Sequence, residues 1–228
     1  MSNPHPLRDL KRTVLAHFWF KTFGTSGFTT LFFVAYIYLL RHPASPVTIM
    51  PVTWLDGAIG FQPAALPVYL SLWLYVSLPP VLMQTRREIT QYGVRIGALC
   101  LAGLALFYLW PNAVPAAQID WSRYPGVALL KGVDAAGNAC PSLHVATSVF
   151  SAIWFHYRFR HLGYGRAVQL ANILWCVAIA YSTLATKQHV AVDVLAGTVL
   201  AFVMAWLTRL QAHAELQSGQ GPVQPATA

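Results

Sequence analysis

Apolar residues fall along the chain in long windows separated by short polar stretches. The windows run over 27–40, 64–83, 93–110, 142–157, 167–185 and 190–207. Crossing the hydrocarbon core of a bilayer takes about 20 apolar residues, and these windows reach or approach that length. The pattern predicts an all-α, polytopic membrane helix bundle of about six transmembrane helices. Pro67, Pro79 and Pro80 lie inside the second window; proline is tolerated at membrane depth where neighbouring helices satisfy the freed backbone groups. The organisation expected is a segment 1–22, one membrane catalytic domain 23–210 with its polar motifs in 93–207, and a tail 211–228 too poor in core-forming residues to fold.

Composition agrees with the pattern. Of the 228 residues 56% are hydrophobic and 10% charged, against about 25% charged in an ordinary soluble domain. A net charge of +8 raises the possibility of nucleic acid, yet the distribution of the basic residues argues otherwise, and no nucleic-acid partner is expected. Arg8, Lys11, Arg12, Lys21, Arg86, Arg87, Arg95, Arg158, Arg160, Arg166 and Arg209 fall on one side of a six-span arrangement, and only Arg41, Arg123, Lys131 and Lys187 on the other. The positive-inside rule then makes both termini cytoplasmic in an inner membrane. The loops 41–63, 111–141 and 186–189 become extracytoplasmic, with Trp54, Trp110, Trp121 and Tyr124 as interface anchors. The basic start runs into His17 and Lys21 before any sustained apolar core, so no cleavable signal peptide is read. Cys100, Cys140 and Cys176 show no metal-ligand spacing; no metal site and no cofactor are expected.

Two polar segments stand out. Cys140-Pro141-Ser142-Leu143-His144 opens the fourth window, and Ser182 to Asp193 leads into the sixth. The fourth and fifth helices form a hairpin, so His144 and His189 return to one membrane face. His189 and Asp193 are four residues apart and share a face if the helix begins before His189; the carboxylate then fixes the ring tautomer and leaves the other nitrogen to attack an electrophile. Ser142 suits an N-cap, and a helix N-terminus favours phosphate. His144 beside it could protonate an alkoxide leaving group. An ionisable residue within a span marks a functional cavity, but the same residues also suit a transporter that relays protons or binds an anion. No internal repeat of the transporter kind is visible.

The two segments resemble the type-2 phosphatidic acid phosphatase superfamily, whose motifs are P-S-G-H and S-R-x5-H-x3-D on six membrane helices. Here they read Pro141-Ser142-Leu143-His144 and Ser182-Thr183-x5-His189-x3-Asp193. The resemblance implies a metal-independent lipid phosphatase or phosphotransferase with a phosphohistidine intermediate. His189 would be the nucleophile, Asp193 its partner and His144 the acid and base, with Ser142, Ser182 and Thr183 near the phosphate. The substrate would be a membrane lipid phosphate at the outer face of the bilayer. Leu143 replaces the usual glycine, Thr183 replaces the arginine, and no K-x6-R-P motif occurs upstream. Lys187 and Lys131 are the substitutes considered for the missing cations. The P-S-L-H variant is similar to inositol phosphorylceramide synthase-like proteins, which transfer a lipid headgroup. Hydrolysis, headgroup transfer, a transporter and a pseudoenzyme therefore stay open, as does the oligomeric state.

Overall fold

A computed structural model describes residues 6–128 and 137–209. Lys131 and the tail 211–228 lie outside the described residues. Among the described residues eight complete α-helices follow in order: α1 Pro6–Leu15, α2 Phe18–Arg41, α3 Trp54–Ala58, α4 Leu66–Val81, α5 Arg86–Leu109, α6 Leu143–His161, α7 Arg166–Ala185 and α8 Ala191–Leu207. The protein is an all-α membrane helix bundle. Its small sheet is a parallel pair, β1 Thr48–Ile49 against β2 Asn112–Ala113, joined by a bridge from Ala113 to Gly137.

Among the described residues four helical stretches are long and apolar enough to cross a membrane: Phe18–Arg41, Pro63–Val81, Arg86–Leu109 and Arg166–Ala185. The expected fourth and sixth spans are helices too, of a different character. α8 is apolar but has 17 residues. α6 is more polar and is the central helix, packed against α4, α5, α7 and α8. Val145, Ala146, Phe150 and Trp154 are fully buried along it. A helix shielded by four others faces little lipid, so its sequence is released from the hydropathy that a lipid-facing helix needs. Leu101, Leu109, Leu195 and Trp206 each keep about two thirds or more of their surface exposed; such an apolar exterior fits contact with hydrocarbon rather than water.

Two helix starts differ from the expected windows. α2 begins at Phe18 and takes in Lys21, because the buried ammonium donates to the carbonyls of Thr13 (2.7 Å) and Val81 (2.9 Å). α5 begins at Arg86, where a capping box starts it: the Glu88 N–H donates to Thr85 Oγ1 at 3.2 Å and the Thr85 N–H to Glu88 Oε2 at 3.2 Å. Such a cap contributes about 1 kcal/mol, enough to extend the helix by two polar turns. α1 was not foreseen from the hydropathy pattern.

The loops at the far end of the bundle from these basic starts are held by one side chain. Asn112, 1% exposed, donates from Nδ2 to the Cys140 carbonyl (2.7 Å) and the Trp110 carbonyl (2.9 Å). Its Oδ1 accepts from the N–H groups of Ala139 (2.8 Å) and Cys140 (2.7 Å). An amide offers two donors and one two-lone-pair acceptor, and here all of that capacity is used. The strand after α5 is thereby fixed to the residues that lead into α6.

Candidate functional site

α6 and α8 begin side by side, and their starts are joined backbone to backbone. The Ser142 N–H donates to the Asp193 carbonyl at 3.0 Å. Ser142 is the N-cap of α6, its Oγ accepting from the Val145 N–H at 3.3 Å, and it is fully buried. Its hydroxyl therefore caps the helix in this arrangement. The first turn of α6 puts His144 where α4 and the α7–α8 turn converge.

The turn from α7 into α8 positions the second histidine. The Thr183 carbonyl accepts from both the Gln188 N–H (2.9 Å) and the His189 N–H (3.2 Å), and Lys187 takes a left-handed conformation with φ of 56°. α8 starts at Ala191, after His189, so the condition that both residues share one helical face is not met. The contact with Asp193 forms by another route. Asp193 is the third residue of α8, and its Oδ2 reaches back to accept from the Val190 N–H at 3.0 Å. That brings Oδ2 to 3.4 Å from His189 Nδ1. At this separation the carboxylate is a charge neighbour of the ring more than a tight acceptor. Asp193 is fully buried, and its negative charge sits in the first turn of α8, where the helix dipole favours it.

His144 and His189 meet. Nδ1 of His144 lies 3.1 Å from Nε2 of His189, their rings inclined by 60°. On its other side His144 Nε2 lies 2.8 Å from the hydroxyl of Tyr69 in α4. Trp73, one turn further along α4, presents its ring edge-on to the imidazole with centroids 6.3 Å apart. A continuous line of groups results: Tyr69, His144, His189, Asp193. In the tautomer that carries its proton on Nδ1, beside the carboxylate, His189 turns its Nε2 lone pair toward His144 Nδ1.

The other expected site residues lie close by with different contacts. Ser182 Oγ donates to the Ile179 carbonyl (2.7 Å) and Thr183 Oγ1 to the Ala180 carbonyl (2.7 Å), both side chains buried inside α7. Lys187 Nζ donates to the carbonyls of Asp56 (3.0 Å) and Ile59 (2.6 Å). Asp56 in turn accepts at Oδ1 from the Ala191 N–H (2.8 Å) and at Oδ2 from the Thr53 N–H and hydroxyl (both 2.8 Å). The ammonium of Lys187 and the carboxylate of Asp56 thus tie α3 to the start of α8. Cys140 has a free, buried thiol; burial first, then the neighbouring Asp193 carboxylate, pushes it up to about 11.

Leu143, the residue in place of the motif glycine, is 7% exposed and fills a notch on α5 left by Gly103. A Cβ at Gly103 would overlap its side chain. Tyr69, Asp56 and Asn112 were missed by sequence reasoning. Each is a polar side chain in or beside an apolar stretch, and only the fold reveals what it faces.

A half-buried imidazole, His144, thus meets a buried one, His189, with one carboxylate behind it, on a membrane helix bundle. A profile of the PAP2 superfamily matches residues 79–216, more than half of the chain, and the protein belongs to that superfamily. Membership supports a phosphatase-type function on lipid phosphate. No curated protein and no solved structure matches the chain.

Proposed function

We propose that the protein is a membrane-embedded, metal-independent phosphoryl-transfer enzyme that acts on a lipid phosphate through a phosphohistidine on His189. The observation that carries this reading is the 3.1 Å approach of His144 Nδ1 to His189 Nε2, with Asp193 Oδ2 at 3.4 Å on the far side of the His189 ring. The Nε2 lone pair of His189 attacks phosphorus, the bond from phosphorus to the leaving oxygen breaks, and His144 gives that oxygen its Nδ1 proton. Asp193 balances the positive charge that develops on the His189 ring. In the second half His144 removes a proton from water or an alcohol, whose oxygen displaces His189 from phosphorus. General acid–base help of this kind contributes about 10²–10⁴ in rate.

The distribution of basic residues supports placing both termini in the cytoplasm and the histidine pair at the outer face of the inner membrane. Headgroup transfer between lipids is the second reading, and Thr183 favours it. A site without the motif arginine carries less positive charge, which suits a monoanionic phosphodiester better than a dianionic monoester.

Product analysis tests both. Purified protein in liposomes is given labelled phospholipids and prenyl phosphates with chelator, with and without an alcohol-bearing lipid acceptor, beside His189→Ala. Free phosphate released by wild type alone supports hydrolysis. Label passed to the acceptor supports transfer. Full activity in His189→Ala overturns the phosphohistidine, and wild type inert on the whole panel points to a transporter or a pseudoenzyme.

A further inference from the structure

The two histidines of the pair have different second partners. His189 has a carboxylate. His144 has a phenol: the Tyr69 hydroxyl sits 2.8 Å from its Nε2, and Tyr69 is 1% exposed. The ring of Tyr69 also lies against the imidazole, centroids 5.2 Å apart, and Trp73 closes the next turn. The imidazole is therefore held in one orientation by α4, with Nδ1 facing His189.

The chemical difference between the partners matches the difference in task. A carboxylate carries charge and favours a positive ring beside it, which suits a nucleophile that becomes cationic as it is phosphorylated. A hydroxyl is neutral and can either donate or accept. It accepts from Nε2–H when His144 is charged, and again when His144 is neutral with its lone pair at Nδ1. It donates to Nε2 when the single proton sits on Nδ1. Every protonation state that His144 must visit keeps its second nitrogen hydrogen-bonded, and none is locked in.

We propose that Tyr69 is the positioning residue of the general acid and base: it holds Nε2 of His144 so that Nδ1 alone exchanges protons with the leaving and entering oxygens. The inference rests on the reading of His144 as acid and base. It adds a residue from α4, ahead of the matched family stretch at 79–216.

The test uses two leaving groups in the full-length protein. One substrate is the phospholipid that wild type cleaves in the product panel; the other is the 4-nitrophenyl ester of the same phosphoryl group, whose nitrophenolate departs without needing a proton. Tyr69→Phe deletes one oxygen and keeps the ring. The expected result is a fall of about tenfold in the single-turnover rate of leaving-group release from the lipid, part of the 10²–10⁴ that an acid contributes, with the nitrophenolate burst within twofold of wild type; the second half-reaction, in which His144 is the base, slows alike for both substrates. In a His144→Ala background the same substitution has no further effect on the lipid, because a residue acting through His144 has nothing left to act on. Equal losses in the rate of leaving-group release from both substrates, no loss from either, or the same loss with and without His144 overturns the inference. A wild type active on the lipid with His189→Ala inert, together with an unselective Tyr69→Phe, removes Tyr69 and leaves the phosphohistidine standing. Activity retained in His189→Ala removes both.

Discussion

Gly197 in α8 lies directly against the backbone of Ser142 at the start of α6. A Cβ at 197 would stand 3.2 Å from the Ser142 carbonyl carbon and 3.3 Å from its nitrogen, and closer still to its oxygen. Those are backbone atoms, which cannot turn aside as a flexible side chain can. The close approach lets the Ser142 N–H reach the Asp193 carbonyl, so the missing side chain at 197 sets the distance between the two halves of the site.

Gly197→Ala is therefore expected to push the α6 and α8 starts apart by several tenths of an ångström. Overpacking costs about 1–3 kcal/mol, and a misplaced reacting group costs more in rate than in stability. A drop in kcat of about 10²-fold with a fall of only a few degrees in the unfolding midpoint is the expected pattern. Thermal unfolding in detergent beside turnover measures it.

Leu143 and Gly103 form a matched pair across α5 and α6. Leu143→Gly, which restores the family glycine, is expected to destabilise by about 2–5 kcal/mol through the cavity it leaves, and Gly103→Ala by about 1–3 kcal/mol through overlap. Together they are expected to cost clearly less than the sum, since each relieves the other's defect. Denaturation of the two single variants and the double reads the coupling; strict additivity contradicts the pairing.

Lys187 was considered as a phosphate cation, but its ammonium is held by the carbonyls of Asp56 and Ile59. Lys187→Met is expected to loosen the 53–59 segment. Limited proteolysis there should accelerate several-fold, and Asp56→Asn should do the same by weakening the contact to the Ala191 N–H. A rise in KM without any change in proteolysis would return Lys187 to the phosphate.

Asn112 makes four hydrogen bonds from a buried position. Asn112→Leu leaves two N–H groups and two carbonyls without partners, each costing about 1–3 kcal/mol. The variant is expected to unfasten residues 110–112 from 139–140, seen as loss of expression or of a cooperative transition; Asn112→Asp is expected to keep the two accepted bonds and lose the two donated ones.

The bundle and the meeting of its two polar motifs were legible in the sequence for physical reasons. Lipid demands long apolar runs, so α2, α4, α5 and α7 announce themselves, and two histidines with an aspartate in outer turns are conspicuous against that background. The spacing rule for His189 and Asp193 pointed to the right pair by the wrong geometry, because the helix starts later than the i,i+4 argument needs. Residues whose role depends on what the fold brings opposite them were not legible. Tyr69 is one aromatic among many in an apolar span, and nothing local marks its hydroxyl as facing His144. Gly197 reads as a small residue in a helix, and Asn112 as a loop residue. Lys187 drew attention by its closeness in sequence to His189, while its side chain runs toward α3.

The nitrogen-to-nitrogen contact of 3.1 Å between His144 and His189 is also too short to hold a substrate. An attacking nitrogen stands about 3 Å from the atom it attacks, and the acid needs about 2.8 Å more to the departing oxygen, so the two rings must sit at least about 6 Å apart when a phosphoryl group lies between them. On the proposed mechanism a phosphoryl group must therefore part the two rings as it enters, and some of the lipid's binding energy goes into that separation.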